Sequence, residues 1–257
     1  MTLVKHELKQ GWKSLLIWTI FFIIICIFMY PEMESEMEGV NEMFSSMGSF
    51  TAAFGMDQLN FGTLTGFYAV ECGNILGLGG AFFATLLGIS ALAKEEKEKT
   101  AEFLLTHPVS RVRIVTEKLG AVMFQILVMN VAVFLLSIIS MTAIGEDIPW
   151  NEICLLHFAY FLVQVELAGI CFGISAFLKH GGLGIGLGLA TVMYFLNIVA
   201  NISDSAGFMK YITPFGYAEG ADIIADMSLD VRKILPGMGL TLAGILLAYW
   251  KYTHKDI

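Results

Sequence analysis

The chain has 257 residues, is 56% hydrophobic with a mean hydropathy of +0.72, and carries a formal net charge of −8. That much apolar surface exceeds what a water-soluble core of ordinary size encloses, so lipid is the expected solvent for much of it. The acidic balance, with an isoelectric point near 5.1, excludes nucleic acid as a partner.

Residues 1–13 place Leu3, Leu8 and Trp12 near one helix face and Lys5, Lys9 and Lys13 on another, the pattern of a helix lying in the membrane interface. The apolar segment 14–31 outruns a signal-peptide core. It is followed by Tyr30-Pro31-Glu32-Met33-Glu34 instead of a small-residue cleavage site, so it reads as a first span. Residues 32–65 are acidic, yet Met33, Met37, Val40, Phe44 and Met47 recur at helical spacing. Thioethers can ligate Cu(I), but a stripe of this kind reads as a packing face, and no metal site is assigned.

A second apolar stretch, 67–93, precedes a charged segment, 94–112, and a third span follows at 113–144. From Lys94 to Lys118 the chain holds six bases and five acids, whereas Cys72 to Ala93 and Leu119 to Gly145 hold none. Each flanking stretch exceeds the roughly 20 residues that cross a bilayer, so the charged island must lie outside the lipid. Further spans are expected at 153–178, 182–203 and 234–251, with an external segment at 204–233 that contains helix-breaking Pro214 and Gly216 and room for a short helix pair. The expected fold is a single all-α transmembrane domain, 1–257, with six spans.

Basic residues favour the cytoplasmic side of short loops. With both termini inside, 12 of the 15 bases fall on the cytoplasmic side, and the sides carry +5 and −11 apart from Glu71 and Glu166, which lie within spans. A multi-pass protein of the cell membrane follows.

Intramembrane polar residues are few: Glu71, Asn74, Gln125, Asn130, Gln164, Glu166 and Asn197. A carboxylate at a helix centre costs about 2.5–3.5 kcal/mol on insertion scales, so Glu166 is expected to face protein or water. It serves either a substrate pathway with Asn130, Gln164 and Asn197, or a hydrogen bond to a neighbour such as Asn130 or Asn197. Glycines four apart (Gly73/Gly77, Gly169/Gly173, Gly182/Gly186, Gly184/Gly188) suit close helix packing. Catalytic signatures are missing: the four cysteines form no CxxC, the histidines do not cluster, and neither GxSxG nor a P-loop occurs.

The island carries Glu95-Glu96, Glu98, Thr100, Glu102, Leu104-Leu105 and Pro108-Val109-Ser110-Arg111 after the second span, with Lys99 where a glycine is usual. Together with the interfacial N-terminus, the six spans and Pro214-Phe215 after the fifth, this resembles the membrane subunit of ABC-2-type transporters. The resemblance implies an ATP-driven exporter in which two permease subunits pair, as homodimer or heterodimer. Each rests on a separate nucleotide-binding subunit that holds ATP and Mg; this chain would be non-catalytic and carry no cofactor. It also makes 94–112 a coupling helix seated in the ATPase. The residues suit that role: Thr100 can cap a short helix, Phe103 and Leu104 supply an apolar knob, His107 before Pro108 ends it, and Ser110 can cap the next span ahead of Arg111 and Arg113. The competing classes are a self-contained secondary transporter or channel using Glu166 and a membrane-embedded enzyme; inverted repeats would favour the former, and none is visible.

Overall fold

The computed structural model describes residues 2–28, 47–55, 58–60, 63–97, 109–179 and 181–254. Its helices are α1 (Thr2–Phe28), α2 (Ser49–Ala53), α3 (Leu64–Ser90), α4 (Lys94–Lys97), α5 (Arg111–Ala143), α6 (Trp150–Ser175), α7 (Leu183–Ile202), α8 (Gly220–Asp226) and α9 (Val231–Thr253). Two 3₁₀ segments, Asp204–Tyr211 and Pro214–Tyr217, lie between α7 and α8, and no strand occurs among the described residues. Among the described residues five helices, α3, α5, α6, α7 and α9, are long and apolar enough to cross a membrane. The protein is therefore an all-helical, multi-pass membrane protein.

Local chemistry sets the helix ends. Ser110 caps α5 by accepting from the Arg113 amide at 3.3 Å, and Asp230 caps α9 through the Arg232 amide at 3.0 Å. That second cap starts α9 at Val231, ahead of the expected 234. Pro236 consequently lies beyond the first turn, and its missing N–H deprives the Arg232 carbonyl of a helical partner. Residues 2–28 form one helix with no break near 13, so the amphipathic stretch and the first apolar segment share an axis instead of forming two elements.

α6 is the most enclosed of the five and packs against α3, α9 and α5, while α1 lies on α5 and α7 on α3. Glycine decides how closely these helices approach. A Cβ at Gly88 of α3 would lie 2.3 Å from the Ala168 carbonyl oxygen of α6, and one at Gly173 of α6 would lie 2.6 Å from Gly244 Cα of α9. Gly169 meets Thr241 of α9, and Gly182 and Gly186 receive Ile89. Gly184 and Gly188 meet nothing within 4 Å, so only three of the four spaced pairs serve close packing here. Outward faces stay apolar, with Phe195 on α7, Leu246 on α9 and Ile139 on α5 well exposed, as a lipid-bathed bundle requires.

Gly173→Ala should push α6 off α9. Overpacking of this kind costs about 1–3 kcal/mol, and the melting temperature in detergent should fall by roughly 3–10 °C, whereas Gly188→Ala should leave it unchanged.

Candidate functional site

Along α6, three buried polar side chains, His157, Gln164 and Glu166, lie at successive levels. Near its start, His157 Nε2 lies 2.7 Å from the Tyr68 hydroxyl, which donates to Ser137 Oγ at 2.7 Å, joining α6 to α3 and α5. Two turns further, Gln164 Oε1 accepts from Asn130 Nδ2 at 2.6 Å, and Gln164 Nε2 reaches to 3.5 Å from the Leu76 carbonyl. Leu76 belongs to a π turn, Ile75–Gly79, that interrupts α3. A π turn leaves backbone groups outside the α pattern, and such turns gather at functional sites.

Glu166 is fully buried on another side of α6. Its carboxyl lies against Gly237 of α9, where a Cβ would come within 2.0 Å of Oε2, and next to the Tyr217 hydroxyl. Neither carboxyl oxygen has a hydrogen-bond partner among the described residues, while the Glu166 backbone carbonyl accepts from Thr241 Oγ1 at 3.1 Å. Of the four expected pathway residues, Gln164 and Asn130 are brought together. Glu166 bonds neither amide. Asn197 lies apart, in a second group at the other end of α7.

That group surrounds a small cavity of about 50 Å³ between α3, α6 and α7, lined by Asn74, Tyr160, Tyr194, Asn197, Asn201 and Glu219 among others. Tyr194 donates to Asn74 Oδ1 at 3.0 Å. Glu219, from the segment after Pro214-Phe215, accepts from Asn201 Nδ2 at 2.6 Å and from Lys210 Nζ at 2.9 Å. Lys210 also lies 3.9 Å from Asp222, which Lys233 of α9 approaches to 3.3 Å. Gly55, after α2, closes over the cluster at φ +65°, and a Cβ there would strike Glu219 Oε1 at 2.5 Å. The cluster thus ties the first 3₁₀ segment, α7, α8 and α9 together with the residues after α2.

The opposite end is equally well built. Lys118 of α5 is 1% exposed, donates to the Ala91 carbonyl just past α3 at 2.7 Å, and pairs with Glu7 of α1 at 3.1 Å. Buried ammonium groups need such partners, and Ala91 O is one of the carbonyls a helix end leaves unsatisfied. Glu117 accepts from the Leu3 and Val4 amides at 3.2 and 3.3 Å and pairs with Arg113 at 2.8 Å. Arg111 Nη1 donates to the Tyr252 and Thr253 carbonyls at 3.4 and 3.3 Å, fixing the start of α5 to the end of α9.

Of the coupling residues, Glu95 and Glu96 lie in α4, Val109 is partly buried against the core, and Ser110 and Arg111 make the contacts above. Glu98, Thr100, Glu102, Phe103, Leu104, Leu105 and Pro108 lie outside the described residues, as do Met33, Met37, Val40 and Phe44 of the acidic segment. Sequence reasoning places Lys118 and Glu7 only as cytoplasmic charges, and misses Tyr68, His157, Tyr217 and the Glu219 cluster. The available signal for the last is Glu219 beside two helix breakers in an apolar setting.

Helices of membrane length, buried polar pairs that join them, and ion-paired ends define a multi-pass membrane protein. The family model described as ABC-2 family transporter protein matches residues 1–257, so the chain belongs to the ABC-2 transporter family. No curated protein matches it in a sequence search. As a member of that family, the chain is a non-catalytic permease subunit of an ABC transporter, which implies an ATP-binding partner.

Burial raises the Glu219 carboxyl above its usual range, and the Lys210 ammonium opposes that shift. A carboxyl so raised binds more protons folded than unfolded, so its contribution to stability falls as pH rises from the unfolded value through the folded one. Lys210→Met removes the opposing charge and should destabilise by about 2–3 kcal/mol at pH 8. At pH 5 the loss should be smaller, which thermal melts at the two pH values will measure.

Proposed function

We propose that this chain is the permease subunit of an ATP-driven exporter. Two such subunits pair to form the substrate pathway. Segment 94–112 couples each to a separate nucleotide-binding subunit that carries ATP and Mg. Both termini face the cytoplasm, the protein resides in the cell membrane, and α1 supplies the sixth span beyond its amphipathic start.

One observation carries the reading: both described ends of the charged segment are locked into helix ends. On the α3 side, the Ala91 carbonyl is held by Lys118. On the α5 side, Ser110 caps the helix and Arg111 grips the last carbonyls of α9. A push on the segment therefore moves α3, α5 and α9 as connected rigid bodies, the kind of small displacement that packed helices convert into switching between arrangements. Glu166, the residue a self-contained transporter would use, is fully buried against Gly237 and lines neither of the cavities described above and below. That position favours a role in packing α6 on α9.

The segment is tested by replacing Phe103 and Leu104 with Asp. The partner ATPase should co-purify at least about tenfold less well with the double variant, while insertion and elution of the permease stay as in the wild type. Substrate transport by the chain alone in vesicles, with no ATPase recovered, would instead establish the secondary-transporter reading.

A further inference from the structure

A crevice of about 340 Å³ opens between α1, α3 and α5 on the Lys94 side of the bundle. The volume falls within the roughly 300–1,000 Å³ typical of small-molecule sites. Its walls change character with depth. At the mouth stand Lys94, Ser90, Ser14 and Gln10, and deeper in lie Phe83, Leu87 and Val122, with exposed Leu183 at the side. Ser90 and Phe83 are seven residues apart on α3, about 10 Å along the axis. Over that distance the α3 wall passes from charged and hydroxylic to hydrocarbon, as a leaflet does between headgroup and acyl chains, while the Gln125 amide keeps a polar group on the α5 wall.

The mouth is rich in hydrogen-bond donors. Lys94 donates to Gln10 Oε1 and has no carboxylate within ion-pairing distance among the described residues, so its ammonium has two further N–H groups to give. The hydroxyls of Ser14 and Ser90 make no hydrogen bond with any described residue. The remaining charges on the lining, Lys118 and Glu7, are paired with each other and form the back of the mouth. A net positive, donor-lined mouth over an apolar slot fits an anionic phosphate attached to hydrocarbon, and basic pockets between transmembrane helices recognise lipid headgroups in this way.

We propose that this crevice holds a phosphate-bearing glycerolipid from the leaflet on the Lys94 side, its phosphate at Lys94, Ser14 and Ser90 and one acyl chain along Leu86, Leu87 and Leu183. Bound there, the lipid joins α1 to α3 and α5 at the end that carries the charged segment.

Native mass spectrometry and thermal melts of the detergent-purified protein test it, with phosphatidylglycerol, diacylglycerol of the same chains, and glycerol phosphate as probes. Phosphatidylglycerol should bind at least about tenfold more tightly than diacylglycerol and raise the melting temperature, and glycerol phosphate should do neither. Lys94→Ala combined with Ser90→Ala should weaken phosphatidylglycerol binding about tenfold, and Lys94→Arg, which keeps the charge, should preserve it. Equal retention of diacylglycerol would reduce the crevice to an apolar slot. Equal stabilisation by glycerol phosphate would make it a site for free phosphates, and unchanged binding by the double variant would move the lipid elsewhere. Should that variant fold poorly, the comparison of probes on the wild-type protein decides the matter alone.

Discussion

The structure depends on how closely α6 can approach its neighbours. Lipid tails are as apolar as leucine, so membrane helices are not driven together by removing hydrocarbon from water and rely on contact between surfaces that fit. Gly88 brings α3 onto the Ala168 carbonyl from one side, and Gly173 brings α9 onto α6 backbone to backbone from the other. With α6 clamped between them, the polar groups of three helices fall within hydrogen-bonding reach, and the peripheral helices α1 and α7 have a fixed surface to lie on.

Polar chemistry is distributed by height. Within the bundle the pairs are neutral amides and hydroxyls, Gln164 with Asn130 at mid-depth and Tyr68 with Ser137 near the start of α6, which bond without charge. Among the described residues, ion pairs are confined to the two ends, Lys118 with Glu7 at one and Lys210 with Glu219 at the other. Each end therefore behaves as a solid cap, and the middle is held by small-residue contacts and a few neutral hydrogen bonds. A permease that must tilt its helices without unfolding has use for such a division, because the caps carry motion while the neutral middle lets helices slide at modest cost.

Much of this architecture is legible in the chain. Apolar length marks α3, α5, α6, α7 and α9, and Ser110 before Arg111 marks the start of α5, because each rests on local chemistry. Glycine spacing marks the contact face of α6 at Gly169 and Gly173 but not its partner Gly244, since spacing along one helix says nothing about which helix comes near. Glu166 is recognisable as an acid that must avoid lipid, yet of the amides proposed for it Asn130 is taken up by Gln164 and Asn197 lines the small cavity beside α3. Burial of Lys118 is equally hidden, because a lysine at a span's edge looks solvated until α1 and the end of α3 close over it. The break expected between an interfacial helix and a first span does not occur, since no residue near 13 interrupts helical geometry.

The π turn at Ile75–Gly79 also governs the angular phase of α3. In an unbroken α-helix the 20 residues from Tyr68 to Gly88 rotate through about 2,000°, which sets the two nearly on opposite sides. A turn closed by i→i+5 bonds absorbs about one extra residue, which reduces the offset to roughly 100° and turns both toward the same neighbour. Tyr68 can then meet His157 while Gly88 meets Ala168, so one helix addresses α6 along its whole length because its winding is locally loosened.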